Sequence, residues 1–88
     1  MTTKSTIAPR LHAVLADVLG LSAARASELR PETGLFGSMP ELDSMAVAGL
    51  LTEIEDMFRI TIDDEDVSGD MLETVGSLTD YISRKLAQ

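Results

Sequence analysis

Apolar residues recur at helical spacing in three stretches of this 88-residue chain. Ile7, Leu11, Val14, Leu15, Val18 and Leu19 share one face, which predicts an amphipathic helix over 7–19. Pro9 suits its first turn, where a missing N–H does no harm, and Gly20 is placed to end it in a left-handed conformation. A second helix is predicted over 44–58, with Val47, Leu50, Leu51, Ile54, Met57 and Phe58 as its buried stripe. Asp43 is its N-cap candidate, since a carboxylate there accepts from the first free N–H groups. Gly49, mid-helix, costs roughly 1 kcal/mol against alanine. The last helix is predicted over 75–86 behind Thr74 as N-cap. Val75, Leu78, Ile82 and Leu86 face inward, and Arg84 and Lys85 sit near its negative C-terminal end.

The stretches between these helices read differently. Residues 21–42 are a long connection broken by Pro31, Gly34, Gly37 and Pro40. Within it, 22–26 suit a turn or two of helix, and Leu29, Leu35 and Phe36 are the expected anchors into the core. A connection of this length in a small domain hints at function. Ile60-Thr61-Ile62 alternates like a strand but has no second strand pattern to pair with, so an extended linker is expected. Residues 63–73 are acidic, with room for one short helix limited by Gly69. Residues 1–6 are polar and expected to fray. The pattern predicts an all-α fold: one domain over 1–88, an irregular four-helix bundle with a long first loop and a short third helix.

Composition narrows the chemistry. Only Phe36, Phe58 and Tyr81 are aromatic, so aliphatic side chains must fill the core, which suits packed helices. There is no cysteine, hence no disulfide and no thiolate metal site. No apolar run approaches a membrane span, and no secretory leader is evident, so a cytoplasmic protein is expected. The net charge of −8 is concentrated: residues 41–73 hold eleven acidic residues and one basic one, Arg59. That field disfavours nucleic acid and anionic membranes and steers basic protein surfaces toward the middle of the chain.

The most informative residue is Ser44, at the mouth of the second helix. A serine there can carry a phosphate ester, because the N–H groups and the dipole of the helix start favour the attached negative charge. The bland alternative is a helix-start serine with no further role. Leu42-Asp43-Ser44-Met45, followed by Leu50, Ile54, Glu55-Asp56, Phe58 and Ile62, resembles the attachment site of acyl carrier proteins. Val75, Leu78, Asp80, Tyr81 and Ile82 resemble that family's last helix. The stretch from Leu35 to Met45 is similar to stand-alone carriers of bacterial exosortase and exopolysaccharide systems. The segment departs from many fatty-acid carriers in Met39-Pro40-Glu41-Leu42 before Asp43, in Ala46 after Met45, and in Gly49 where an acidic docking residue often stands.

The resemblance implies a non-catalytic carrier. Ser44 would bear 4′-phosphopantetheine, drawn from coenzyme A by a phosphopantetheinyl transferase, and Asp43 would cap the helix or contact that transferase. The arm would hold acyl or aminoacyl groups as thioesters. Met45, Glu53, Glu55 and Asp56 would meet the basic docking surfaces of loading and acyl-transfer enzymes, and a monomer is expected.

Other residues carry less. Asp64, Asp66, Ser68 and Gly69 match the first positions of a calcium loop, but Val75 stands where its closing glutamate belongs, so no metal site is expected. His12, the only histidine, has no catalytic partner in sequence and reads as a surface residue. The competing hypothesis is an unmodified acidic helical interaction or calcium-responsive module.

Overall fold

The computed structural model describes residues 4–39 and 42–87. It contains four α-helices: α1 (Lys4–Leu19), α2 (Ala23–Ser27), α3 (Ser44–Phe58) and α4 (Val75–Leu86). A single 3-10 turn spans Asp64–Asp66. The described residues form no β-strand, only an isolated bridge between Gly34 and Thr74. The all-α bundle is thus as expected, and α3 and α4 have the predicted bounds. The short third helix shrinks to that 3-10 turn, while a five-residue helix, α2, sits in the first connection. No described helix is long and apolar enough to cross a membrane. Expectations resting on residues 1–3, Pro40 and Glu41 lie outside the described residues.

The first helix starts earlier than predicted, at Lys4, so residues 4–6 are helical rather than frayed and Pro9 lies in the second turn. Apolar spacing cannot mark such a polar turn, because extending an existing helix needs only backbone hydrogen bonds. Gly20 ends the helix at φ +66°, and Leu21 N–H donates to the Ala16 carbonyl at 2.9 Å. Ser22 caps α2 by accepting from Arg25 N–H.

α1 packs against α2, α3 and α4. Its Ile7, Leu11 and Leu15 meet Leu50 and Ile54 of α3 and Leu78 and Ile82 of α4 in one fully buried core, joined by Leu35 from the connection. Residues 60–62 are the expected extended linker.

Two core assignments are corrected. Phe36 is not an anchor: it is 47 % exposed. Leu35 and Phe36 donate from successive N–H groups to the carbonyls of Glu73 and Leu72, so the chain is pinned here. With Leu35 drawn fully inward, its neighbour is left at the surface. Met57 is also exposed, since the buried line of α3 runs through Leu50, Ile54 and Phe58. Met57 lies one residue, about 100° of turn, off that line.

The far end of α3 is closed by long-range contacts. Arg10 donates to the Met57 carbonyl at 2.5 Å and lies 4.7 Å from the centre of the Phe58 ring. A cation there also complements the negative end of the helix dipole. Arg59 takes the left-handed conformation, φ 55°, that ends the helix.

Candidate functional site

Asp43 stands just before α3 in an extended conformation, and its Oδ1 accepts from Ala46 N–H at 2.8 Å. The Asp43 carbonyl accepts from Val47 N–H at 2.9 Å, which starts the helix. Ser44 is therefore the first residue of a fifteen-residue helix. It is exposed, and Met45 beside it is 86 % exposed. Among the described residues, none accepts from the N–H groups of Ser44 and Met45. The positive end of the helix dipole is thus directed at the space around the Ser44 hydroxyl.

Two shallow grooves open beside Ser44. One, of about 310 Å³, is lined by Phe36, Ser44, Val47, Val67, Ser68, Gly69 and Leu72. The other, of about 440 Å³, is lined by Phe36, Gly37, Ser38, Met39, Leu42, Asp43 and Ser44. Phe36 and Ser44 are common to both. An exposed serine hydroxyl at a long helix start, with N–H groups that no described residue accepts from and with adjacent grooves, fits a serine-linked phosphodiester bearing an extended chain.

The other residues singled out from sequence are spread along α3. Glu53 and Asp56 are exposed, two turns and more from Ser44. Glu55 turns inward: its Oε2 accepts from Ile62 N–H at 2.8 Å, tying the linker back onto the helix. In the acidic segment, Asp66 accepts from the Tyr81 hydroxyl at 2.8 Å, and Asp63 lies 3.6 Å from Lys85. Burial first, then the hydrogen bond to Asp66 and the charges of Asp66 and Asp63, push the Tyr81 phenol up to about 12. No three histidine, aspartate or glutamate residues gather closely enough to hold a metal ion among the described residues. His12 is half-buried rather than a surface residue, in a crevice with Pro31, Gly76 and Asp80.

Sequence reasoning missed the groove walls. From sequence Phe36 is an expected core anchor, and Val67 and Leu72 have no partner. The available signal was the turn that Gly37 announces: Leu35 is drawn inward before it and Phe36 lies within it at the surface.

Comparison with known proteins bears on this arrangement. The family described as the phosphopantetheine attachment site matches residues 9–82. The meromycolate extension acyl carrier protein of Mycolicibacterium smegmatis is 29 % identical over 82 residues, covering 93 % of this chain and 77 % of that protein. Its counterpart from Mycobacterium leprae is 28 % identical over 82 residues, covering 93 % and 66 %. The solution structure of a holo acyl carrier protein from Nitrosomonas europaea superposes with a TM-score of 0.84 at 37 % identity, covering 92 % of this chain and 96 % of that one. These matches favour a carrier over the unmodified interaction or calcium-responsive module. The chain belongs to the phosphopantetheine-attachment family and is an acyl carrier protein, with 4′-phosphopantetheine as its covalent prosthetic group.

Proposed function

We infer that Ser44 is the attachment residue and that the domain is a non-catalytic, monomeric, cytoplasmic carrier. The observation that carries this is the exposed Ser44 at the start of α3, with Asp43 satisfying Ala46 N–H and leaving the N–H groups of Ser44 and Met45 for an anion. The Ser44 hydroxyl attacks the pantetheine-bearing phosphorus of coenzyme A on a phosphopantetheinyl transferase. The new bond joins Ser44 Oγ to that phosphorus, the pyrophosphate bridge breaks, and adenosine 3′,5′-bisphosphate leaves. The hydroxyl proton passes to a base of the transferase. The helix start then stabilises the retained negative charge.

When bound, the group supplies a terminal thiol that holds acyl groups as thioesters. The relatives named for meromycolate extension support a lipid acyl cargo over an aminoacyl one. Met45, Glu53 and Asp56 are exposed on α3 and are offered as contacts for loading and transfer enzymes. Such contacts suit weak, exchangeable docking, because tight binding would stall delivery. Glu55 serves this surface less directly, since its carboxylate is engaged with Ile62.

The test is the intact mass before and after incubation with coenzyme A, magnesium and a broad-specificity phosphopantetheinyl transferase. The parent is expected to gain one phosphopantetheine and Ser44→Ala none. A gain in the variant would remove Ser44 from this role.

A further inference from the structure

We propose that Met45 is an oxidation site that regulates the carrier: a peroxide converts its thioether to the sulfoxide, and the oxidised chain is a poor substrate for the transferase that modifies Ser44. The inference deepens the proposed function and rests on Ser44 as the attachment residue.

The chain holds no cysteine and no tryptophan, so in its unmodified form methionine sulfur is the group a peroxide oxidises most readily. The described methionines differ in access. Met39 and Met71 are core residues, 8 % and 7 % exposed, and Met57 is 37 % exposed. Met45 is 86 % exposed and takes no part in the core. Its sulfur lone pair attacks one peroxide oxygen, and the S–O bond forms as the O–O bond breaks. The departing hydroxide takes the proton left on the transferred oxygen and leaves as water. Sulfur loses two electrons and the peroxide gains them. Methionine sulfoxide reductases reverse the step, so it can act as a switch.

Position turns this reactivity into control. Met45 is the second residue of α3, directly after the serine whose hydroxyl the transferase must reach. Side chains of a helix lean toward its N-terminus, so the Met45 chain stands on the Ser44 side of its own Cα. An enzyme that brings a base to the Ser44 hydroxyl closes over this side chain. As a thioether it favours that contact, since apolar surface leaves water. As a sulfoxide it carries a polar oxygen into the same contact, where burial without a hydrogen-bond donor is unfavourable. The reacting atoms are untouched, so the penalty falls on association rather than on the chemical step. The fold is untouched as well, because a side chain already at the surface has no core packing to lose.

The experiment treats the unmodified parent, Met45→Leu and Met57→Leu with limiting hydrogen peroxide. Peptide mass mapping locates the oxygen and thermal melting reports the fold. Uptake of phosphopantetheine from coenzyme A by the broad-specificity transferase gives KM and kcat for each carrier against its own untreated form. In the parent, Met45 is expected to gain oxygen ahead of Met39, Met57 and Met71, with Tm within about 2 °C of the untreated protein. KM for the oxidised parent should rise about tenfold with kcat nearly unchanged, the effect of one buried polar group left unpaired. Methionine sulfoxide reductase should restore the original KM. Peroxide should leave the KM of Met45→Leu at its untreated value and raise that of Met57→Leu as in the parent. Oxidation of another described methionine before Met45, an unchanged KM once Met45 is oxidised, or the same rise in Met45→Leu would overturn the assignment while leaving Ser44 in place. Failure of untreated, folded parent to take the arm at Ser44 would remove both readings.

Discussion

Both α3 and α4 begin on a polar cap with a serine in the first turn, and the two starts are used in opposite ways. At α4, Thr74 Oγ1 accepts from Ser77 N–H at 3.0 Å, and Ser77 Oγ accepts from Thr74 N–H at 3.0 Å. The same Ser77 hydroxyl lies 2.9 Å from the Met71 carbonyl as a donor. The N–H groups of Val75 and Gly76 donate to the carbonyls of Thr33 and Pro31, at 3.0 and 2.7 Å. Every donor of that first turn is consumed by protein. At α3, Asp43 takes only the third N–H, and Ser44 stays exposed. The local motifs are alike; what differs is that residues 31–33 cross the start of α4. A helix start becomes a place to attach an anionic group only when the rest of the chain leaves it uncovered.

The largest effect expected from this contrast is in the paired serine variants. Ser44→Ala should abolish phosphopantetheine uptake by intact mass while leaving the thermal melt within about 2 °C. Ser77→Ala should keep full uptake and lose about 1–2 kcal/mol in urea unfolding, because its capping box and its bond to Met71 go. A Ser77 variant that loses uptake without unfolding would break the contrast.

Glycines at the two helices give the next test. A Cβ at Gly76 would come within 2.8 Å of the Pro31 carbonyl oxygen, so Gly76→Ala should destabilise by about 1–3 kcal/mol. A Cβ at Gly49 meets only Val18 Cγ1, at 3.9 Å. Gly49→Ala should then stabilise by up to about 1 kcal/mol through helix propensity. Urea midpoints measure both. A loss at Gly49 would mean that α3 and α1 lie closer than described.

Removing the cap at α3 sharpens the same comparison. Asp43→Ala should cost about 1 kcal/mol by thermal or urea unfolding, and Thr74→Ala at least as much, since it ends a reciprocal pair.

The smallest effect is confined to alkaline pH. Tyr81 is the only tyrosine, and there is no tryptophan, so phenolate absorbance reports it alone. Its pKa is raised to about 12 by burial and by Asp66. The unfolded chain releases this proton near 10, before the folded chain does, so stability is full below pH 10 and falls between 10 and 12. Tyr81→Phe should flatten that part of the curve. Titration of the parent phenol at its ordinary pKa would remove the bond to Asp66 from the account.

Much of the arrangement around Ser44 was legible because it depends on neighbours in sequence. The apolar spacing of Leu50, Ile54 and Phe58, the Asp43 cap and the Thr74 cap all act within one or two turns, and α3 and α4 have their predicted ends. The apolar residues of the connection, Phe36 among them, read as anchors into the core. The bonds that pin Leu35 and Phe36 come from Glu73 and Leu72, far along the chain. The family resemblance places Glu55 among the docking carboxylates, and the Ile62 N–H that draws it in lies beyond the helix end.

The sequence by itself determined the helices, their caps and the serine at the head of α3, since periodicity and capping are short-range and every residue involved is close by. Tertiary structure alone decided which helix start is open, which face of the connection shows its phenylalanine, and which carboxylates are bound inward. Those outcomes rest on contacts such as Arg10 with the Met57 carbonyl and Pro31 with Gly76 N–H, made between residues that only the packed core brings together.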